Sequence, residues 1–307
     1  MVKAKVLFVD DEEHIVSTLR SLCRNACDVY TATSGAQALE IVKSNSIHVI
    51  VSDQRMPEMA GIELLREVKR LSPATMRIML TGYADFADIV SSINDGEVYR
   101  YIYKPWNNKE VLATVIAAAE VALSLAGEPQ TAPPKTGVET AQTNILVVDD
   151  APEVHTTIKK LFEGKRQVWS ASNCERALDI LERENIGVVV SDVFVGRQDI
   201  TQLLKILKDQ HPHMVTVVLT TFNDANMVVG LINNGQIFRY LTKPVHTGQL
   251  RVSIEAALLY HAKCQHEPRL LSRHRVEKME VGSSSSPTLT AMIMSRLKFL
   301  RSGVSAG

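Results

Sequence analysis

The sequence predicts an α/β protein: two doubly wound parallel sheets of five strands each, in tandem on one chain. Three observations carry that expectation. One is an internal repeat at a fixed offset. Another is the alternation, inside each copy, of short apolar runs with amphipathic helical patterns. The third is a Pro-, Thr- and Gly-rich stretch between the copies. Shifting the sequence by 139 residues lays ALEIVKSNSIHVIVSD (Ala38–Asp53) over ALDILERENIGVVVSD (Ala177–Asp192) without a gap. The same shift lays INDGEVYRYIYKP (Ile93–Pro105) over INNGQIFRYLTKP (Ile232–Pro244). A repeat of that length is a duplicated whole domain, far longer than a solenoid unit.

The elements follow in order. Val6–Val9 is a run of apolar residues ending in acids, and Glu13–Cys23 carries helical periodicity. Val49–Val51 then precedes a helical Ile62–Leu71, Ile78–Leu80 precedes Ala84–Ile93, and Tyr101–Tyr103 precedes Lys109–Leu125. Strand-then-helix alternation implies a parallel sheet with helices on both faces. The second copy repeats the pattern at the same offset. The expected divisions are a first domain over 1–126, a flexible linker over 127–143, a divergent second domain over 144–262 and a partly disordered tail over 263–307. The linker, GEPQTAPPKTGVETAQT (Gly127–Thr143), has no apolar periodicity. The tail contains a Ser-rich break and a short amphipathic piece around Leu289–Leu300, and its eight Lys/Arg against three Glu make it net +5.

Bulk composition excludes some classes. Lys plus Arg equals Asp plus Glu at 34 each, so no overall basic field attracts nucleic acid or an anionic membrane. The greasiest helical stretch, from Val111, is interrupted by Thr114, Glu120 and Ser124 and is too short to span a bilayer. Met1 is followed almost at once by a strand-like run instead of a signal peptide, which predicts a cytoplasmic protein. The cysteines Cys23, Cys27, Cys174 and Cys264 match no common metal spacing and read as buried or incidental thiols, as does YHAKCQH (Tyr260–His266) for a metal.

The chemistry gathers where strands end. An open parallel sheet binds its ligands outside the carboxyl ends of its strands. In the first copy those positions hold Asp10 and Asp11, Asp53, Thr81 and Lys104; in the second, Asp149 and Asp150, Asp192, Thr220 and Lys243. Three carboxylates in one crevice cannot all stay ionised unaided, and oxygen-only ligands favour Mg²⁺ as the compensating cation. A lysine supplies a point charge and a threonine one hydroxyl donor. An aspartate nucleophile beside Mg²⁺, with both aimed at the same spot, suits phosphoryl transfer to a carboxylate. Taken singly, Asp11 and Thr81 also read as helix caps and Lys104 as a surface lysine. Caps do not account for five residues recurring together, each at a strand end.

On these residues each half resembles a receiver domain of two-component signalling, a flavodoxin-like fold, over nearly all of residues 3–262. The resemblance implies that the acid pairs bind Mg²⁺ and that Asp53 and Asp192 accept a phosphoryl group from a histidine kinase or histidine phosphotransfer protein. It implies that the backbone carbonyls of Arg55 and Phe194 face the metal, and that Tyr101 and Tyr240 are the switch aromatics. The output is then a downstream protein effector reached by protein contacts, with no direct nucleic-acid or membrane binding, and a homodimer among the compatible assemblies. Such a protein is no enzyme beyond autophosphatase activity. The first copy keeps DQRMPEMAG (Asp53–Gly61), and LTGYAD and YRYIYKPW resemble receivers joined to cyclic-di-GMP phosphodiesterases. The second copy reads DVFVGRQDI (Asp192–Ile200): Gly196 stands where the first has Pro57, Ile200 where it has Gly61, and Thr221 where it has Gly82. Two other readings stand beside this one. One is a scaffold or dimerisation protein with a non-phosphorylated second receiver. The other is a truncated regulatory part of a cyclic-di-GMP phosphodiesterase.

Overall fold

A computed structural model describes residues 3–82, 86–96, 98–126, 143–235, 237–267 and 270. The expected linker up to residue 142 and the tail beyond 270 lie outside the described residues. The chain divides into two compact units, each built on one five-stranded parallel sheet.

In the first, the order of elements is β1 (Lys5–Val9), α1 (Glu13–Cys23), β2 (Asp28–Ala32), α2 (Gly35–Ser44), β3 (Val49–Asp53), α3 (Gly61–Leu71), β4 (Met76–Thr81), α4 (Phe86–Ser91), β5 (Arg100–Tyr103) and α5 (Asn108–Ala126). The strands lie in the order β2-β1-β3-β4-β5, so the chain reverses direction across the sheet between β1 and β3. That crevice is where a doubly wound sheet presents its ligand site. β3 and β4 are buried throughout, as strands covered on both faces must be; β3 is apolar up to Ser52, and β4 is apolar from Ile78 to Leu80 after a buried Arg77. Alternate residues Val6, Phe8, Val49, Val51, Ile78 and Leu80 pack against Val16, Leu19 and Cys23 of α1 and Val111, Val115 and Ala118 of α5. Each fully buried aliphatic of this size contributes about 2 kcal/mol relative to exposure. β2 is the half-buried edge strand that the sequence reading did not delimit.

The fourth helix differs from expectation. Helical periodicity predicts Ala84–Ile93, whereas α4 runs over Phe86–Ser91 and then widens into a π-helical turn, Ser92–Gly96. Residues 84 and 85 lie outside the described residues. The second copy does the same at Leu231–Gly235.

The second sequence copy repeats the plan: β6 (Asn144–Val148), α6 (Pro152–Phe162), β7 (Val168–Ala171), α7 (Cys174–Arg183), β8 (Ile186–Ser191), a two-stranded hairpin of β9 (Phe194–Val195) and β10 (Gln198–Asp199), α8 (Thr201–Gln210), β11 (Val215–Thr220), α9 (Ala225–Gly230), β12 (Arg239–Thr242) and α10 (Thr247–His266). Its sheet order, β7-β6-β8-β11-β12, is the same topology. One face carries Leu146, Val148 and Val189 against α7 and α8. The other carries Ile145, Val147, Val188 and Val217 against α6 and α10. Helix starts follow local chemistry: Ser34 and Asn173 accept from the backbone N–H of Gln37 and Arg176, and Pro152 opens α6. All four cysteines are buried free thiols.

The hairpin is the largest departure between the copies. Antiparallel pairing of Gln198 with Val195 and Asp199 with Phe194 leaves a two-residue turn, Gly196-Arg197. Both turn residues have positive φ, 58° and 65°, as the primed turns of tight hairpins demand. The first copy instead brings Gly61 against the end of β3, where any Cβ would collide with the Asp53 carbonyl oxygen. The hairpin lifts the chain enough for Ile200 to occupy the matching position, fully buried, while its N–H still bonds the Val193 carbonyl at 3.0 Å.

Candidate functional site

Sheet register sets the first site. Val9 pairs with Ser52, so Asp10 and Asp53 emerge level from β1 and β3. Asp53 pairs with Leu80, and Thr81 with Tyr103, so Thr81 and Lys104 follow one step further out on β4 and β5. The Lys104 N–H bonds the Thr81 carbonyl at 2.7 Å, which fixes where its side chain starts, and the Lys104–Pro105 peptide is cis.

Lys104 reaches back across the crevice and bridges two carboxylates. Its Nζ lies 2.7 Å from Asp10 Oδ2 and 2.6 Å from Asp53 Oδ1. Asp10 is fully buried, and its other oxygen accepts the Glu12 N–H at 3.0 Å. Burial pushes the Asp10 carboxyl above its ordinary range despite Lys104, which acts to lower it. Burial works against the Lys104 ammonium too, but its hydrogen bonds to Asp10 and Asp53 outweigh it and hold the lysine above its ordinary value. Asp53 Oδ2 accepts the Arg55 N–H at 3.0 Å. Asp11 is exposed at the mouth of the crevice. It does not cap α1, whose N-cap, Glu12, makes no side-chain cap bond.

The second site repeats the bridge. Lys243 Nζ is 2.7 Å from both Asp149 Oδ2 and Asp192 Oδ2, and burial again opposes a charge that the two carboxylates hold up. Lys243–Pro244 is likewise cis. Asp192 Oδ1 accepts the N–H groups of Val193 at 2.7 Å and Phe194 at 3.4 Å. Asp150 is not left open as Asp11 is: its Oδ2 accepts the Gly196 N–H from the hairpin tip at 3.1 Å.

Among the described residues the two hydroxyls have different partners, and residue 83, the counterpart of Phe222, lies outside them. Thr220 Oγ1 accepts the Phe222 N–H at 3.2 Å, and the buried Tyr240 hydroxyl donates to the Phe222 carbonyl at 2.6 Å. The Phe222 ring meets Phe194 at 5.2 Å between centroids, tilted by 52°. In the first copy Thr81 Oγ1 donates to Gln54 Oε1 at 2.7 Å. Tyr101 is buried, and its hydroxyl has no hydrogen-bond partner among the described residues. Burial, then the charges of Asp88 and Tyr103, push its ionisation well up. The sequence reading missed Gln54 and Phe222. Gln54 had a signal, a long polar side chain directly after the central aspartate of a buried strand.

The donor set in each crevice is all oxygen, which fits a hard divalent cation. Among the described residues, no three His, Cys, Asp or Glu side chains are gathered closely enough to form a metal cluster by themselves. In each crevice the lysine already bridges two of the three acids. No described helix is long and apolar enough to cross a membrane.

The family model of the response regulator receiver domain matches residues 6–116 and 145–255. The chain belongs to the response regulator receiver family. It carries two receivers, and receiver domains generally bind Mg²⁺ at the phosphorylation site, act as phosphoacceptors more than as enzymes, and interact with histidine kinases or phosphotransfer proteins. The hydrogenase transcriptional regulatory protein HoxA of Bradyrhizobium diazoefficiens is 28% identical over 195 residues, 64% of this chain and 39% of that protein. HoxA of Cupriavidus necator is 37% identical over 118 residues, 38% of this chain and 24% of that one. The chain thus spans well under half the length of either. Among solved structures, the receiver domain of an HD domain-containing protein from Pseudomonas fluorescens is 32% identical, with 42% of this chain and 96% of that one covered at a TM-score of 0.40.

Proposed function

We propose that this tandem receiver protein accepts a phosphoryl group on Asp53, and on Asp192 more slowly, from a phosphohistidine of a kinase or phosphotransfer protein. In each transfer the phosphorus–nitrogen bond to the imidazole breaks and a phosphorus–oxygen bond to the aspartate carboxylate forms. The imidazole recovers a proton from solvent. The observation that carries this reading is the paired lysine bridge: Lys104 on Asp10 and Asp53, Lys243 on Asp149 and Asp192. A lysine held beside a nucleophilic carboxylate offers a positive charge to the oxygens of an arriving phosphoryl group.

Thr81 and Thr220 would each give one hydroxyl hydrogen bond to that group, and Tyr101 and Tyr240 would respond to the threonine's movement. Mg²⁺ would be held by Asp10, Asp11, Asp53 and the Arg55 carbonyl, and in the second copy by Asp149, Asp150, Asp192 and the Phe194 carbonyl. When bound it supplies positive charge against three carboxylates and the phosphoryl oxygens. The output is a contact with another protein.

A second reading is favoured by one observation. The hairpin tip already engages one oxygen of the exposed Asp150, which favours a second receiver that serves as a non-phosphorylated docking module. One experiment separates the two. Full-length protein with Asp53→Asn, Asp192→Asn or both is given radiolabelled acetyl phosphate and Mg²⁺. Label in each single variant and none in the double supports two phosphoacceptors. Label in Asp192→Asn alone supports the docking reading. Label retained by the double variant removes both aspartates from the role.

A further inference from the structure

In the first copy a buried amide stands between the phosphorylation site and the fourth helix. Gln54, directly after Asp53, is 6 % exposed, and both ends of its side-chain amide are engaged. Its Nε2 donates to Asp88 Oδ2, in the first turn of α4, at 3.1 Å. Its Oε1 accepts from Thr81 Oγ1 at 2.7 Å, and Thr81 is 1 % exposed. A carboxylate only accepts, so Asp88 dictates which end of the amide faces α4, and the opposite end must then be the acceptor for Thr81.

We propose that Gln54 is a positioning residue that carries the state of Thr81 to α4 through Asp88. This inference rests on the reading of Asp53 as the phosphoacceptor. A threonine hydroxyl has one hydrogen to give. To bond a phosphoryl oxygen on Asp53, Thr81 must withdraw that hydrogen from Gln54, leaving a buried carbonyl oxygen without a donor. A buried acceptor left unsatisfied is costly enough that the amide turns or shifts to find another. Any such movement changes its hold on Asp88, and with it the first turn of α4. Asp88, though exposed, is also among the charges that push up the ionisation of the buried Tyr101 hydroxyl, which has no partner among the described residues.

The second copy has neither end of this link. Val193 stands at the Gln54 position and Met227 at the Asp88 position, and Val193 is fully buried. There the threonine accepts from the Phe222 N–H, and the Phe222 carbonyl accepts from the Tyr240 hydroxyl.

The test uses the full chain carrying Asp192→Asn, so that Asp53 alone takes label from acetyl phosphate with Mg²⁺, and reads amide hydrogen exchange of residues 86–91. In that parent, phosphorylation should change exchange across α4. Asp88→Asn keeps an acceptor oxygen for Gln54 and should preserve the response. Asp88→Ala should take up phosphate as the parent does, yet its α4 exchange should be the same with and without the phosphoryl group. Gln54→Val should do likewise and should raise resting exchange of 86–91 about fivefold, the effect of one lost hydrogen bond. An α4 response that survives in both Asp88→Ala and Gln54→Val overturns the relay while leaving Asp53 as phosphoacceptor. No label on the parent overturns the reading of the site, and the relay falls with it.

Discussion

The two receivers share five site residues at one offset, yet among the described residues those five have different neighbours. In the first, Asp11 is exposed and Thr81 is tied sideways to Gln54. In the second, Asp150 is held by the hairpin tip, and Thr220 is tied forward to Phe222 and Tyr240. The site residues are placed by the sheet, which both copies keep, while Gln54 and Asp88 in one copy and the hairpin in the other are not shared. A duplicated site can hold its chemistry constant and still acquire a different route out.

The shared lysine bridge gives the largest expected effect. Lys104→Ala removes the counter-ion from Asp10, whose side chain is 1% exposed, and from Asp53. Breaking a buried pair from one side costs about 3–5 kcal/mol, and the lysine's own 21% exposure brings the expected loss to about 2–3 kcal/mol. Lys243→Ala should cost a similar amount. Urea unfolding of the full chain with and without Mg²⁺ separates the copies: added Mg²⁺ should recover more of the Lys104→Ala loss, because Asp11 is open and Asp150 is engaged. Equal recovery would mean that the Gly196 N–H does not compete with a cation.

Much of this was legible in the sequence and some could not be. The central strands were visible because burial on both faces leaves runs such as Val49–Val51, and the acids and lysines were visible because they recur at strand ends. β2 was not delimited, because an edge strand with three half-buried residues has neither a clean alternation nor an apolar run. The π-helical turn at Ser92–Gly96 is a change of hydrogen-bonding step that leaves apolar spacing almost unchanged. The hairpin at Phe194–Asp199 carries a Gly-Arg turn whose second residue gives no sign of a positive φ. Gln54 and Asp88 are 34 positions apart and joined by one bond, which no local pattern reveals. The strand-end positions, in contrast, follow from topology alone.

The floors of the two sheets, away from the sites, offer a second contrast and a smaller effect. In the first copy His48, just before β3, accepts the Lys5 N–H at 2.9 Å. The second copy has Gly187 at that position, where a Cβ would run into the Thr143 side chain and, at 2.6 Å, into His261 of α10. His261 bonds the His213 carbonyl at 2.7 Å, and the buried Lys208 bonds the carbonyls of Pro212 and Met214 at 2.9 and 3.1 Å. Burial lowers Lys208 to about 8, with Cys264 acting slightly the other way. Between about 8 and the ordinary 10.5 the unfolded chain binds the proton that the folded chain has lost, so this lysine makes stability rise with pH across that window. Below about 8 both states hold the proton, and its contribution is flat. The buried thiols, raised in the folded state, act oppositely above their ordinary 9.0. The measurable quantity is therefore a difference: from about pH 7 to about pH 9.5, wild type should gain roughly 2 kcal/mol relative to Lys208→Met in urea unfolding. Parallel curves for the two proteins would show that Lys208 keeps its proton throughout.

The smallest expected effect concerns the lifetime of the phosphoryl group. A phosphorylated aspartate is lost when water attacks in line, so side chains next to it govern how readily water arrives. Phe194 lies two residues past Asp192, whose Oδ1 accepts its N–H, and its ring rests against Phe222. Phe222 is itself held by both its peptide groups, through Thr220 and Tyr240, so the aromatic pair is anchored on the side of the threonine as well. The first copy has the exposed, polar Arg55 at the position of Phe194. Asp192 should accordingly accept phosphate more slowly than Asp53 and keep it longer, by about tenfold, which needs only ~1.4 kcal/mol of barrier. Phe194→Ala should shorten that lifetime toward the value for Asp53 while leaving decay at Asp53 unchanged. Full-length Asp53→Asn and Asp192→Asn, labelled and then followed after removal of donor, give the two decay rates directly. Faster decay from Asp192 would mean that the aromatic pair does not hinder water. The same rate with and without the Phe194 ring would move the cause to the hairpin's hold on Asp150, where a cation that helps to place the attacking water would have to compete with the Gly196 N–H.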